Sequence, residues 1–276
     1  MIEREDEVNW SSLKSISISP KHYRWNLTHP RKDSEAFLRG RVIHTMVYEP
    51  DKLASRYVIM PRFHGGQNDD TAIKNGFEGG KQAKAEWCAA NGAAEIVPDE
   101  VYQACLGMRA SLLGDPIAAQ MIVGGYAEQL VTWTDEETGI ECRGRVDHVN
   151  GSLSDLKSTR NIAPRAFMRD VVKFQYVSQL AFYADGLAAN DVQLEGVPCI
   201  IAVENVAPYD VMVVEFNSAA IAAGRKIYRE CLDRLLVCRE TDTWPGVAGG
   251  ERVSAELPEW MKPAQPAITM GGVDLF

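Results

Sequence analysis

The chain has 276 residues, 46% of them hydrophobic and 24% charged, with a net charge of −9. That is the composition of a globular protein, long enough for one large core with appendages or for two small domains. It excludes a transmembrane helix, since no run of 18 apolar residues occurs, and the acidic start Met1-Ile2-Glu3-Arg4-Glu5-Asp6-Glu7 gives no expectation of a secretory leader. The six cysteines (Cys88, Cys105, Cys142, Cys199, Cys231, Cys238) form no CxxC pair and have no histidine at ligand spacing. Reduced, buried thiols are expected, and an iron–sulfur cluster is not. Net acidity argues against a nucleic-acid partner on its face, but the charge is uneven. Arg143 to Lys173 holds seven Lys/Arg against three acids, and Trp10 to Tyr48 holds seven against two. An acidic body with local basic surfaces suits a protein that holds a polyanion in one place.

In chain order, Asn9 or Ser11 caps a short helix through Ile18. Ser19-Pro20 opens a second, His22 to Leu27, which Pro30 ends. Ser34 caps a third helix, Glu35 to Tyr48, with Phe37, Gly40, Arg41, His44 and Tyr48 on one side. Gly40 leaves room for a backbone or ligand one turn before His44. Residues 61–80 are rich in Gly, Asn and Asp and read as a long loop. Helices follow over Lys81–Ala90, Asp99–Leu113 and a short stretch from Asp115-Pro116 to Ile122. Strands are expected at Glu128–Thr134, Ile140–Val149 and Ser152–Thr159. A helical region then starts at Pro164 and includes a long helix from about Val172 to Ala188. Strands at Gly196–Val206 and Tyr209–Phe216 come next, then a helix that Ser218 caps, to about Glu240. This order predicts an α/β protein with a mixed central β-sheet flanked by helices. Residues 1–126 form a mainly helical region, 127–240 an αβ core and 241–276 an irregular tail, all within a single domain.

The stretch from Gly144 to Lys157 organises the rest. It reads as a β-hairpin about Asn150-Gly151. A two-residue turn sets Asp147 opposite Ser154. A three-residue loop, Asn150 to Ser152, sets Asp147 opposite Asp155 and Arg145 opposite Lys157, and this register is the one we select. Two carboxylates directly opposed on neighbouring strands repel, and a divalent cation between them is the usual remedy. Gln179 and Tyr183 lie four residues apart on one helix face.

Taken together, His44 within Gly40-Arg41-Val42-Ile43-His44, Asp147 with Asp155-Leu156-Lys157, and Gln179 with Tyr183 resemble the PD-(D/E)XK nuclease superfamily. Within it they resemble the RecE-type (exonuclease VIII-like) branch, related to RecB-family nuclease domains and lambda exonuclease, over about Ser11 to Glu240. The resemblance implies a restriction-endonuclease-like core and a Mg²⁺-dependent exodeoxyribonuclease, with Mn²⁺ able to substitute. It implies metal ligation by His44, Asp147, Asp155 and the Leu156 backbone carbonyl, and catalytic roles for Asp147, Asp155, Lys157, Gln179 and Tyr183. Glu128 resembles an acidic position seen in relatives. Arg39, Arg41, Arg160 and Arg165 are candidates for gripping phosphates. The implied activity is 5′→3′ digestion of double-stranded DNA ends, leaving 3′ overhangs for a RecT-like single-strand annealing protein. It would be carried out by a toroidal homo-oligomer, a tetramer or a trimer, in the cytoplasm of a bacterial or phage-infected cell. The rival readings are a RecB/Cas4-like single-strand or structure-specific nuclease and a catalytically silent DNA-binding subunit. The final Asp274-Leu275-Phe276 looks like a peptide that docks in a partner's groove.

Overall fold

A computed structural model describes residues 7–29 and 32–256. The Pro30 helix stop and the Asp274-Leu275-Phe276 tail lie outside the described residues. Capping explains the first helices. Asn9 accepts the Ser12 N–H at the start of α1 (Trp10–Leu13), which tightens into a 3₁₀ turn over Lys14–Ser17. Ser19, with Pro20 in the first turn, starts α2 (Pro20–Thr28), and Ser34 starts α3 (Glu35–Tyr48).

The next stretch departs from expectation. After α4 (Leu53–Arg56), strand β1 (Tyr57–Met60) pairs in parallel with β2 (Glu95–Pro98), and between them lie α5 (Asp69–Lys74) and α6 (Lys81–Asn91). The expected loop at 61–80 therefore contains a helix, capped by Asn68. Four-residue strands, one ending in Pro98, carry too few alternations to register as a pattern.

Helices α7 (Asp99–Gly114) and α8 (Pro116–Ile122) lead into β3 (Tyr126–Thr134), β4 (Glu141–Asn150) and β5 (Ser152–Thr159). Then come α9 (Pro164–Phe174), α10 (Tyr176–Ala188), β6 (Cys199–Glu204), β7 (Val211–Glu215) and α11 (Ser218–Thr241). The single long helix expected from Val172 is two, broken at Gln175, whose φ of 56° is left-handed. Asn217, not Ser218, caps the last helix.

The five strands form one mixed sheet in the order β3-β4-β5-β6-β7, with β5 and β6 parallel and every other pair antiparallel. Apolar layers cover both faces. On one, Ile200 and Ala202 of β6 join Trp10, Phe167, Phe182 and Leu232 from α1, α9, α10 and α11. On the other, Cys199, Ile201 and Val203 join Val42, Met46 and Met108 from α3 and α7. This alternation within one strand is the mark of a sheet buried on both sides. It places α3 and α10 on opposite faces of the sheet, with β4 and β5 between them. No helix among the described residues is long and apolar enough to cross a membrane.

Candidate metal centre

The site grows from the way the hairpin opens. β4 and β5 pair through Asn150↔Ser152, Val149↔Leu153 and His148↔Ser154, with Gly151 at a φ of 68° that favours glycine. This is the three-residue-loop register, and one further step would align Asp147 with Asp155. At that step the ladder ends and the strands fork. Leu156 would lose its backbone partners on the β4 side, and side chains replace them. Its N–H donates to Asp147 Oδ2 at 2.9 Å, and its carbonyl oxygen lies 3.0 Å from His44 Nε2. The expected pairing of Lys157 across from Arg145 does not form, because the ladder has ended. Arg145 instead reaches toward Glu128, at 3.9 Å.

Three strands and α3 meet at this fork. Glu128 sits in β3 between the pairs Ala127↔His148 and Gln129↔Val146, so its register partner is Asp147. Its φ is 51°, a left-handed value that costs a non-glycine residue about 1–3 kcal/mol. Strain of this kind persists where the surroundings impose it, and here the residue brings a carboxylate to the fork. His44 Nδ1 lies 3.4 Å from Glu128 Oε1 and 3.6 Å from Asp147 Oδ2. Ligand atoms of His44, Glu128 and Asp147 all lie within 4.8 Å of one another.

Asp155 occupies the adjacent position on β5 and is 1% exposed. Its Oδ1 has no hydrogen-bond partner. Its polar neighbour is Lys157 Nζ, an ion-pair contact at 2.5 Å from Oδ2. Burial, then repulsion from Asp147, pushes the Asp155 carboxyl up to about 6 despite Lys157. Burial opposes the charge on His44 and Lys157, yet the surrounding carboxylates prevail. His44 rises to about 9, chiefly through Asp147 and Glu128, and Lys157 is held above the ordinary lysine value, chiefly through Asp155 and Asp147. The Lys157 ammonium also lies 5.2 Å from the Tyr176 ring centroid.

α10 supplies the third side. Gln179 Nε2 donates to the Tyr183 hydroxyl at 3.1 Å, the i, i+4 contact expected of that helix face. The Tyr183 ring lies against Gly144, where a Cβ would stand 2.8 Å from ring carbons, so the glycine lets the ring reach β4. Burial, then the Asp155 and Asp147 charges, raises the Tyr183 phenol.

The arginines divide. Arg41 lines a cleft of about 620 Å³ with Gly40, His44, Arg56, Glu128 and Asp147, but it is already paired with Asp33 and Glu95. Gly40 opens onto this cleft, since a Cβ there would meet nothing within 4 Å. Arg39 pairs with Glu35 on its own helix. Arg160 is exposed beyond the end of β5, and Arg165 lies on α9 rather than in the cleft. Sequence reasoning missed Arg56 and Tyr176. Tyr48, one turn after His44 on the face already marked, stacks on His148 with centroids 5.4 Å apart and supports the His44 ring edge-on at 5.9 Å.

The donor set fits a divalent cation. The carboxylates of Glu128 and Asp147 converge with the His44 imidazole, which also meets the Leu156 carbonyl, and Asp155 on the neighbouring strand is buried with Oδ1 unpartnered and Oδ2 met by Lys157 alone. Hard oxygen donors suit Mg²⁺, and the imidazole makes Mn²⁺ at least as good an occupant.

A forked mixed sheet with acidic residues in the fork and a D-x-K step on the next strand defines a PD-(D/E)XK-type fold. The chain belongs to the family described as PDDEXK-like domain of unknown function (DUF3799), which matches residues 9–254. Among solved structures it is similar to the "Putative exonuclease" from Eubacterium rectale, with a TM-score of 0.61 at 12% identity over 93% of this chain and 94% of that one. At that identity the likeness is one of fold. No curated protein matches the sequence significantly.

Proposed function

We propose that this protein is a metal-dependent exodeoxyribonuclease that digests double-stranded DNA ends 5′→3′ and leaves 3′ single-strand overhangs for recombination by annealing. The observation that carries the hydrolytic assignment is Asp155. A buried carboxylate whose single partner is a lysine and whose other oxygen has none, within the field of Asp147 and His44, is costly unless it serves a ligand. His44, Glu128, Asp147, Asp155 and the Leu156 carbonyl would hold the cation. When bound, a divalent cation supplies neutralisation of phosphodiester charge and a more acidic water. Lys157, kept protonated by two carboxylates, places an ammonium where charge develops on the phosphate and orients the attacking water. Gln179 and Tyr183 position the strand or Lys157's surroundings from α10. The polarity, the ring-shaped oligomer and the annealing partner rest on the sequence resemblance.

The test uses linear and covalently closed plasmid with Mg²⁺ or EDTA, beside Asp155→Ala, and linear duplex labelled at the 5′ or the 3′ end. Loss of linear DNA alone, dependent on metal and Asp155, with 5′ label released first, is expected. Cutting of closed circles would make the protein an endonuclease, and no loss of DNA would leave a silent binding subunit.

A further inference from the structure

Among the described helices α9 is the most amphipathic, and its outer face has no role in the centre described above. Phe167 and Val171 are buried, while Arg165, Met168, Arg169, Val172 and Lys173 are exposed. Their spacing of 3, 4, 7 and 8 residues makes one stripe in which cations alternate with aliphatic side chains. Val172 is 74% exposed and Met168 42%. A surface hollow of about 600 Å³ runs along this stripe. None of Arg165, Arg169 and Lys173 forms an ion pair with a described residue, unlike Arg41 and Arg39.

The helix that carries the stripe is linked to the candidate metal centre at both ends, along the chain at one and through ring contacts at the other. α9 starts five residues after Thr159, the end of the strand that carries Lys157. At the other end Phe174, 40% exposed, stacks on Tyr176 at 5.6 Å, and Tyr176 in turn faces Lys157.

We propose that this face of α9 is the track for an unpaired polynucleotide strand beside the reaction centre. This deepens the nuclease reading and rests on it. Arg165, Arg169 and Lys173 meet phosphates, since residues four apart stand about 6 Å apart along a helix axis, a step an extended strand can follow. Met168 and Val172 lie against base or sugar faces. The alternation selects the occupant. A duplex presents mainly phosphates and would leave the aliphatic side chains wet, whereas an unpaired strand presents charge and apolar rings together. A second copy of the chain would set like cations against each other along this stripe.

The test is fluorescence anisotropy of the full-length protein with a labelled single-stranded oligonucleotide and its blunt duplex, in EDTA, over a range of salt. Arg169→Gln/Lys173→Gln should weaken single-strand binding and flatten its log–log salt slope by about 1.4, near 0.7 per cation. Met168→Ser/Val172→Ser should weaken single-strand binding about tenfold, leave the slope unchanged and affect duplex binding less. Lys81→Gln/Lys226→Gln, the same charge loss on α6 and α11, should change neither. Unchanged affinities and slopes in the α9 variants would overturn the proposal. So would equal losses for strand and duplex, binding to phosphatidylserine vesicles instead of DNA, or an altered oligomeric state in sedimentation velocity. Binding in EDTA does not require hydrolysis, so a protein that binds through α9 but never cleaves contradicts the nuclease reading alone. A metal-dependent nuclease indifferent to α9 substitutions contradicts this proposal alone.

Discussion

Two partly or fully buried aspartates, Asp155 and Asp185, are held in opposite ways. Asp185 on α10 is fully served: Arg225 of α11 donates to it through Nε and Nη2 at 2.7 and 2.6 Å, and the Tyr228 hydroxyl donates as well. That cluster fastens α10 to α11 and leaves nothing for a ligand. Asp155 is more deeply buried, has Lys157 as its single partner and faces the like charge of Asp147. The same side chain is a fastener in one place and a source of instability in the other. A protein tolerates the second kind where its chemistry is needed.

The largest expected difference is in activity. Asp155→Asn should lower the rate of DNA degradation at least about 10³-fold, the scale of losing a principal electrostatic group in an active site, while Asp185→Asn should leave kcat near wild type. A plasmid-degradation time course at equal folded concentration checks both.

Stability should move the other way. The rise of the Asp155 carboxyl to about 6 already includes the attraction of Lys157. In the folded protein the charged form is therefore disfavoured. Its linkage has a definite sign: with the folded value above the unfolded one, the contribution is fully present below about pH 4 and is lost as pH rises to about 6. Above pH 6 in EDTA, Asp155→Asn should therefore stabilise the protein. Asp185→Asn should destabilise it by about 1–3 kcal/mol, since it breaks a paired carboxylate. Urea melts at pH 7.5 decide the two signs, and destabilisation by both would erase the contrast between the two sites.

A smaller effect sharpens the role of His44. With its imidazole raised to about 9, a cation must displace a proton at neutral pH. Apparent Mn²⁺ affinity should therefore rise about tenfold per pH unit between 7 and 9, and His44→Ala should lower affinity about 10–100-fold and flatten that dependence.

Much of this was legible because local chemistry and global packing agree. The caps at Asn9, Ser19 and Ser34, and the hairpin register around Gly151, need only neighbouring residues to specify them. The sequence placed His44, Asp147, Asp155 and Lys157 on elements that do converge. It did not show that Asp147 would replace a ladder partner at the fork, because the end of a ladder depends on where the strands diverge. Tyr176 escaped notice because the break at Gln175 turns its ring toward Lys157, and a smooth helix through Val172 would not. Strands β1 and β2 were too short to carry a pattern, so Arg56, which ends α4 just before β1, and Glu95, which starts β2, were invisible as neighbours of Arg41.

The most direct test of the central claim is calorimetric titration of Mn²⁺ into the wild-type protein, Asp147→Asn and Asp155→Asn. Wild type should take up the ion with measurable heat, and both variants should lose that heat or bind at least tenfold more weakly. Equal heats in all three proteins would show that the forked carboxylates do not hold a cation.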